Sequence, residues 1–433
     1  MKFSVFTPTH RPDDLVAAFD SLVAQIRTDW EWVLVPNGPG AAVPDPIARD
    51  PRVRILPAPA ALAGGSIGAL KRHACANARG DYLVELDHDD LLVPDALAQI
   101  AATAERTGAG FLHSDCAAFR ADGSCETFGG NYGWETYPFS CGGCDYTALR
   151  AFDVDASALH LIWFAPNHVR AWHRDSYAQA GGHDTEMEVA DDHDLLCRTY
   201  LTGTPMVRIP ACLYLYRLHG DDRNTYVRRN AEIQERQQQV SNRYVYALIA
   251  EWCRRNGLPL VDLGDDAGCP PGFARLDPDA AKARARLLSG PLQFGDGAVG
   301  CVRAYDVLER VPRCADAACD HGGGNAPGTC VTGLMNEIYR VLAPGGWLLA
   351  RVPAAGADGL AAPGNASAWT RDAFGAYTRR ELARQVPGAR WRFQAPRLWQ
   401  AHPTAWHRER DLAYVYADLV ALKGQRQPGA CDI

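Results

Sequence analysis

The run Tyr82-Leu83-Val84-Glu85-Leu86 leads straight into Asp87-His88-Asp89-Asp90, and this junction constrains the chain more than any other stretch. A mostly apolar run of strand type calls for a buried sheet position, so the carboxylates that follow emerge together at the strand's carboxyl end. Such a cluster is hard and oxygen-rich. It suits Mg²⁺ or Mn²⁺, whose remaining coordination positions a diphosphate can fill. The same residues, taken alone, also describe a solvated acidic turn.

They do not stand alone. Residues 3–6, 32–35 and 53–56 are short apolar runs of strand type. Leu15, Phe19, Leu22, Val23 and Ile26 recur at helical spacing behind Pro12-Asp13-Asp14, whose proline and acidic residues suit a helix start. Residues 67–78 read as a further helix. This alternation predicts an α/β architecture with a mainly parallel sheet and ligands at the carboxyl ends of its strands. Residues 116–160, including Gly129 to Phe139, are rich in Gly, Cys and aromatics with little periodicity. They read either as a long substrate-contacting loop or as the local packing of an irregular excursion. Further on come Ala190-Asp191-Asp192-His193-Asp194 and a strand-like run ending in Arg217-Leu218-His219. Carboxylates, an imidazole and a base are the parts of a metal-dependent group-transfer site.

Taken in order, Thr7-Pro8-Thr9, Asp87-x-Asp89, Asp191-Asp192 and His219 resemble the motifs of family-2 glycosyltransferases of the GT-A fold, over residues 1–225. The resemblance implies that Thr7, Pro8, Thr9 and Arg11 lie against the donor nucleotide. Asn37 stands where the family usually carries a carboxylate, and Lys71 where it commonly carries an Arg near the nucleotide. It also implies Asp87 toward the ribose or the metal's water shell, and Asp89 with His219 on Mn²⁺ or Mg²⁺. Asp192 matches the catalytic base of an inverting transfer from a nucleotide-sugar to an acceptor hydroxyl. Asp194 and Arg198 are expected to pair structurally as i, i+4 neighbours. Trp172, Gly181 and Gly182 resemble the acceptor-side segment.

At 433 residues the chain exceeds one ordinary core. The expected division is a GT-A domain over 1–228, a helical linker over 229–257 and a second α/β domain over 258–433. That second domain resembles the class I methyltransferase fold through Val261-Asp262-Leu263-Gly264, Asp277 and Arg340 to Gly346. Gly264, Gly268 and Asp277 would be remnants of an S-adenosylmethionine site. Asp266 occupies the middle position of a loop that is glycine-rich in the family, which argues against cofactor binding and for a degenerate domain. A bifunctional transferase and methyltransferase, and a catalytically silent scaffold of two nucleotide-binding folds, are the rival readings.

The net charge of −7 supplies no basic field for duplex nucleic acid. No run is apolar and long enough to span a bilayer, and no leader precedes the first strand, so a cytoplasmic location with reduced thiols is expected. Two cysteine groups, Cys116/Cys125/Cys141/Cys144 and Cys314/Cys319/Cys330, could form zinc sites, but each lacks the second tight pair of a strong signature.

Overall fold

The structure is a computed structural model that describes residues 1–38, 42–62, 65–126, 133–162, 166–220, 224–264, 268–276, 291–314, 330–355 and 364–429. Asp265, Asp266, Ala267, Asp277, Cys319 and residues 129–132 lie outside them. The chain divides into two compact units, Met1–Leu248 and Ile249–Ile433.

The first unit is built on β1 (Phe3–Thr9), β2 (Trp30–Pro36), β3 (Val53–Ile55), β4 (Tyr82–Glu85), β5 (Leu91–Leu92), β6 (Phe111–Arg120), β7 (Cys125–Glu126), β8 (Glu135–Cys141), β9 (Cys144–Arg150), β10 (Arg170–His173) and β11 (Met206–Leu218). Their order across the main path is β3-β2-β1-β4-β10-β6-β11-β5. β3, β2, β1 and β4 run parallel, β10 runs antiparallel between β4 and β6, and β6 and β11 are again parallel. The parallel group therefore ends on one edge at Thr9, Pro36 and Glu85. Residues of β1 alternate: Phe3 and Val5 face a core shared with Leu15 and Leu22 of the helix Leu15–Val23 and with Trp32. That helix stops at Val23, and Ile26, counted above on its apolar face, lies beyond the end and is 71% exposed.

Residues 116–160 are more regular than their composition predicts. β8 and β9 form an antiparallel hairpin whose β9 pairs with β6, and a helix follows at Ala156–Leu161. Gly142 and Gly143 both adopt left-handed backbone at the hairpin tip, as a two-residue turn of this hand requires. Cys141 and Cys144 flank that turn as register partners, while Cys116 is buried within β6. Among the described residues no three His, Cys, Asp or Glu side chains gather as a metal cage, Cys116, Cys125, Cys141 and Cys144 included. No helix among them is long and apolar enough to cross a membrane.

The second unit holds a six-stranded sheet of β12 (Leu260–Asp262), β13 (Phe273–Arg275), β14 (Val299–Tyr305), β15 (Leu342–Pro353), β16 (Phe393–Ala401) and β17 (Tyr414–Ala421). The order is β13-β12-β14-β15-β17-β16, parallel as far as β15, with β17 antiparallel to both its neighbours. Val302, Ala304, Leu348, Ala350, Val415 and Ala417 point to one face, where they pack with Leu334 and Ile338 of the helix Val331–Val341.

Candidate active site

The carboxyl ends of β1, β2 and β4 converge with the end of β11. Asp90 is buried and used internally: its carboxylate accepts from the Tyr214 hydroxyl at 2.8 Å and from the Arg217 N–H at 2.7 Å. The same hydroxyl accepts the Asp87 N–H at 3.1 Å, so one side chain fixes the whole acidic turn. Burial, with Asp89 and Asp87 close by, drives the Asp90 carboxyl well above the usual carboxylate range. Asp89 and His219 meet directly, Oδ2 to Nε2 at 2.7 Å, and the Arg217 guanidinium donates to the Asp89 carbonyl. Beside them a cavity of about 440 Å³ is lined by Asp14, Arg120, Asp122, Arg217 and His219. A larger cavity, about 540 Å³, sits at the opposite end of the sheet around Asp81, Gly110 and Thr204.

Asp89 and His219 offer one carboxylate and one imidazole, with Asp87 40% exposed two residues away. That donor set fits an octahedral divalent cation that takes its other ligands from diphosphate and water. It is not a ready-made protein cage.

Of the residues expected at the nucleotide, Pro8, Arg11 and Asn37 are half-buried at the strand ends. Thr7 and Thr9 are not available. Thr7 lies on the core face of β1 with Val5, fully buried, where its hydroxyl donates to the Leu86 carbonyl at 2.6 Å and accepts from the Trp32 indole. Thr9 is 2% exposed, and its hydroxyl accepts the Arg11 N–H at 3.2 Å. Both shape the turn rather than reach a ligand.

Lys71 is neither an exposed helix lysine nor a nucleotide contact. Its helix, Ile67–Asn77, docks tightly on the loop before Asp191, where a Cβ at Gly68 would lie 1.9 Å from the Asp184 carbonyl oxygen. This sinks Lys71 into the unit, 2.6 Å from Glu85 Oε1 and 3.1 Å from Asp191 Oδ2. Burial alone would strip its proton, but Asp191 and Glu85 more than offset that and hold it charged.

Asp191 and Asp192 open the helix Asp191–Leu201, whose N-terminal dipole favours carboxylates. Asp191 is buried against Lys71, and burial raises its carboxyl to about 6. Asp192 keeps 26% of its side chain exposed. It is ion-paired with Arg170 and accepts the His193 N–H at 2.8 Å. Burial pushes its carboxyl up, yet Arg170 and Lys71 bring it down to about 2. Asp194 pairs with Arg198 at 2.8 Å, as the i, i+4 spacing predicts.

Four participants carry no sequence motif. Glu85, 1% exposed inside β4, splits its two oxygens between Lys71 and Arg170. Arg170 is its register partner on β10. His168 accepts or shares an Arg170 N–H at 2.8 Å, approaches Asp87 at 3.8 Å and stacks on Tyr214. His183, buried, meets the Tyr177 hydroxyl at 2.8 Å and lies 3.7 Å from Asp191. The one available signal was charge within buried runs, as at Glu85 in an otherwise apolar strand.

Residues 4–128 match the family model described as glycosyl transferase family 2. Among curated relatives, an uncharacterized protein y4gI of Sinorhizobium fredii (strain NBRC 101917 / NGR234) is 38% identical over 101 residues, 22% of this chain and 11% of that protein. The O-antigen biosynthesis protein RfbC of Myxococcus xanthus is 26% identical over 219 residues, 49% of this chain and 15% of its own length. The chain thus spans a small part of the curated relatives it matches. Among solved structures, residues 1–349 of S. aureus TarS superpose with a TM-score of 0.40 at 15% identity, covering 59% of this chain and 74% of TarS 1–349. The TarS complex with UDP-GlcNAc gives 0.41 at the same identity, covering 59% and 75%.

Proposed function

We propose that the first unit transfers a sugar from a nucleotide-sugar to a hydroxyl of an acceptor, with inversion at the anomeric carbon. The observation that carries this is the pairing of two differently equipped ends of one buried charge frame. At one end Asp89 and His219 meet beside a cavity; at the other Asp192 is partly exposed and ionised. The family match over residues 4–128 supports the reaction class, and the likeness to an O-antigen biosynthesis protein supports a saccharide acceptor.

Asp89 and His219 would hold Mn²⁺ or Mg²⁺, and a divalent ion there supplies charge neutralisation for the departing diphosphate. Asp192 orients the acceptor hydroxyl through its free lone pairs and takes its proton as the new bond forms. The acceptor oxygen bonds to the anomeric carbon while the bond from that carbon to the diphosphate oxygen breaks. Displacement from the opposite face gives the inverted product. Arg170 and Lys71 keep Asp192 ionised throughout the neutral range.

We assign the second unit no transfer step. Gly264 N donates to Asp262 Oδ1 at 3.1 Å, and Asp262 is itself bound to the buried Arg303 at 2.8 Å. A Cβ at Gly264 would lie 2.9 Å from the Tyr305 carbonyl oxygen, so this turn packs on its own sheet. Between β12 and β13 no helix intervenes among the described residues, although parallel neighbours usually need a helical crossover. The strand order of this sheet supports a methyltransferase-like reading of the unit's fold.

A screen of nucleotide-sugars for Mn²⁺-dependent donor turnover tests the proposal, with Asp89→Asn and Asp192→Asn as controls. Asp89→Asn should abolish metal-dependent turnover in a folded protein, since an amide is a poor ligand for a hard cation. Asp192→Asn should lower transfer at least about a hundredfold with donor affinity unchanged. Full activity in either variant would sink the corresponding role.

A further inference from the structure

We infer that Arg170 is a positioning residue for sugar transfer: held by Glu85 and donating also to His168, its guanidinium fixes the Asp192 carboxylate. The inference rests on the proposed role of Asp192 as base. It is carried by geometry that spans three elements. Arg170 is register partner to Glu85, so its backbone is set by the β4–β10 ladder. From there it distributes its donors: Nε to Glu85 Oε2 at 2.8 Å, Nη1 to Asp192, and Nη2 to His168 Nε2 at 2.8 Å. His168 Nε2 in turn lies 3.8 Å from Asp87 Oδ2. One planar fork thus touches Glu85, the base and the His168 ring at once.

Only an arginine does this. A guanidinium presents donors in several fixed in-plane directions, whereas an ammonium is a compact point charge without that planar spread. Arg170 is 4% exposed, so water reaches the pairing only from the side of the partly exposed Asp192. Burial and Arg170 drive the His168 ring down to about 3, so it stays neutral and accepts rather than repels the guanidinium. The groups that face Asp192 are Arg170 from β10, Lys71 from the helix Ile67–Asn77, Glu85 from β4, Asp191 and His193 beside it, and His168 and His183. Of the two cations, Arg170 alone forms an ion pair with Asp192, so its loss should raise the carboxyl most.

Glu85 has a separate part. It binds Arg170 and Lys71 with different oxygens, and Lys71 holds Asp191, so Glu85 fixes both cations that flank the base-bearing helix end.

The test uses the full-length chain and two variants. Arg170→Lys leaves a cation for Glu85 but cannot reach Glu85 and Asp192 together. Arg170→Gln combined with Glu85→Gln removes both charges at once, so that neither is left buried alone, and protects the experiment against simple unfolding. For each, kcat, donor KM and the pH profile of transfer are measured beside wild type and Asp192→Asn. The expected result is a fall in kcat of at least about tenfold with donor KM nearly unchanged. An acid limb should also move upward in the double variant, by the loss of the Arg170 pairing less the part that removing Glu85 gives back. A wild-type pH profile in both variants overturns the inference, whatever happens to kcat. So does a loss that appears equally in donor KM, because that is the mark of a general structural defect. If the variants shift as expected but Asp192→Asn retains full activity, or if wild type transfers no sugar, the base assignment itself fails and the positioning role with it. Unchanged variants beside an inactive Asp192→Asn would sink the positioning role alone.

Discussion

Lys71 Nζ sits 2.6 Å from Glu85 and 3.1 Å from Asp191 in a region nearly closed to water. At this scale the sequence was legible in position, where a motif puts carboxylates and an imidazole at a strand or helix end, as with Asp89, His219 and Asp192. It was silent where two residues remote in the chain become neighbours through sheet register, as with Glu85 and Arg170. It misled at Thr7, because strand alternation put that hydroxyl on the core face. Asp191 and Asp192 were indistinguishable by type; their surroundings separate them into a buried anchor and a partly exposed carboxylate. Removing one member of a buried ionic group leaves its partners uncompensated, which commonly costs about 3–5 kcal/mol. Lys71→Met is therefore expected to lower the stability of the first unit by about that amount in denaturant titration. Adding Glu85→Gln to Lys71→Met should recover part of the loss, since one stranded carboxylate is then neutral. A Lys71→Met protein as stable as wild type would show that the ammonium is solvated and the frame is not a unit.

The helix Asn230–Arg255 shows how an element gains a role that its composition hides. Its polar, glutamine-rich sequence reads as a connecting helix, yet Ile233, Val240, Val245 and Leu248 are buried. Gln237 bonds to the ring of His193, whose other nitrogen meets the Leu159 carbonyl at 2.6 Å. Tyr244 donates to Asp194 at 2.9 Å. Both contacts brace the first turn of the helix that carries Asp192. Glutamine and tyrosine on a polar helix give no signal of this in sequence, because the partners lie dozens of residues upstream. The hairpin of β8 and β9 was missed for a different reason: Gly, Cys and aromatic residues obscured the period-two pattern of its strands. Gln237→Ala would leave the buried His193 nitrogen without its donor, a loss of about 1–3 kcal/mol. The expected result is a protein destabilised by that amount whose kcat falls while donor KM holds. Unchanged kcat at the lower stability would show that the brace serves folding only.

Across the whole molecule, two compact units with separate sheets were legible from length and from two strand–helix series, while the pH response of the second unit was not. Two of its acids are buried without adequate compensation. Glu309 is 2% exposed, its nearest cation is Arg310 at 3.6 Å, and burial with Asp306 nearby raises it to about 7. Asp418 is 1% exposed on β17, and burial raises it to about 7 against the pull of Arg397, 3.5 Å away. In the unfolded chain both titrate near pH 4, so between about pH 4 and 7 the folded unit binds more protons than the unfolded one. Stability then falls as pH rises through that window and levels off above it, the reverse of a salt-bridged carboxylate. The second unit is expected to melt at a higher temperature at pH 5.5 than at pH 8. Glu309→Gln keeps the neutral form at every pH, so it should raise stability at pH 8 by about 1–3 kcal/mol and change little at pH 5. Calorimetric melting of wild type and Glu309→Gln across pH 5–8 checks this through the difference in slope. An identical slope in the two proteins would mean that water or an unseen cation already compensates Glu309 in the folded state.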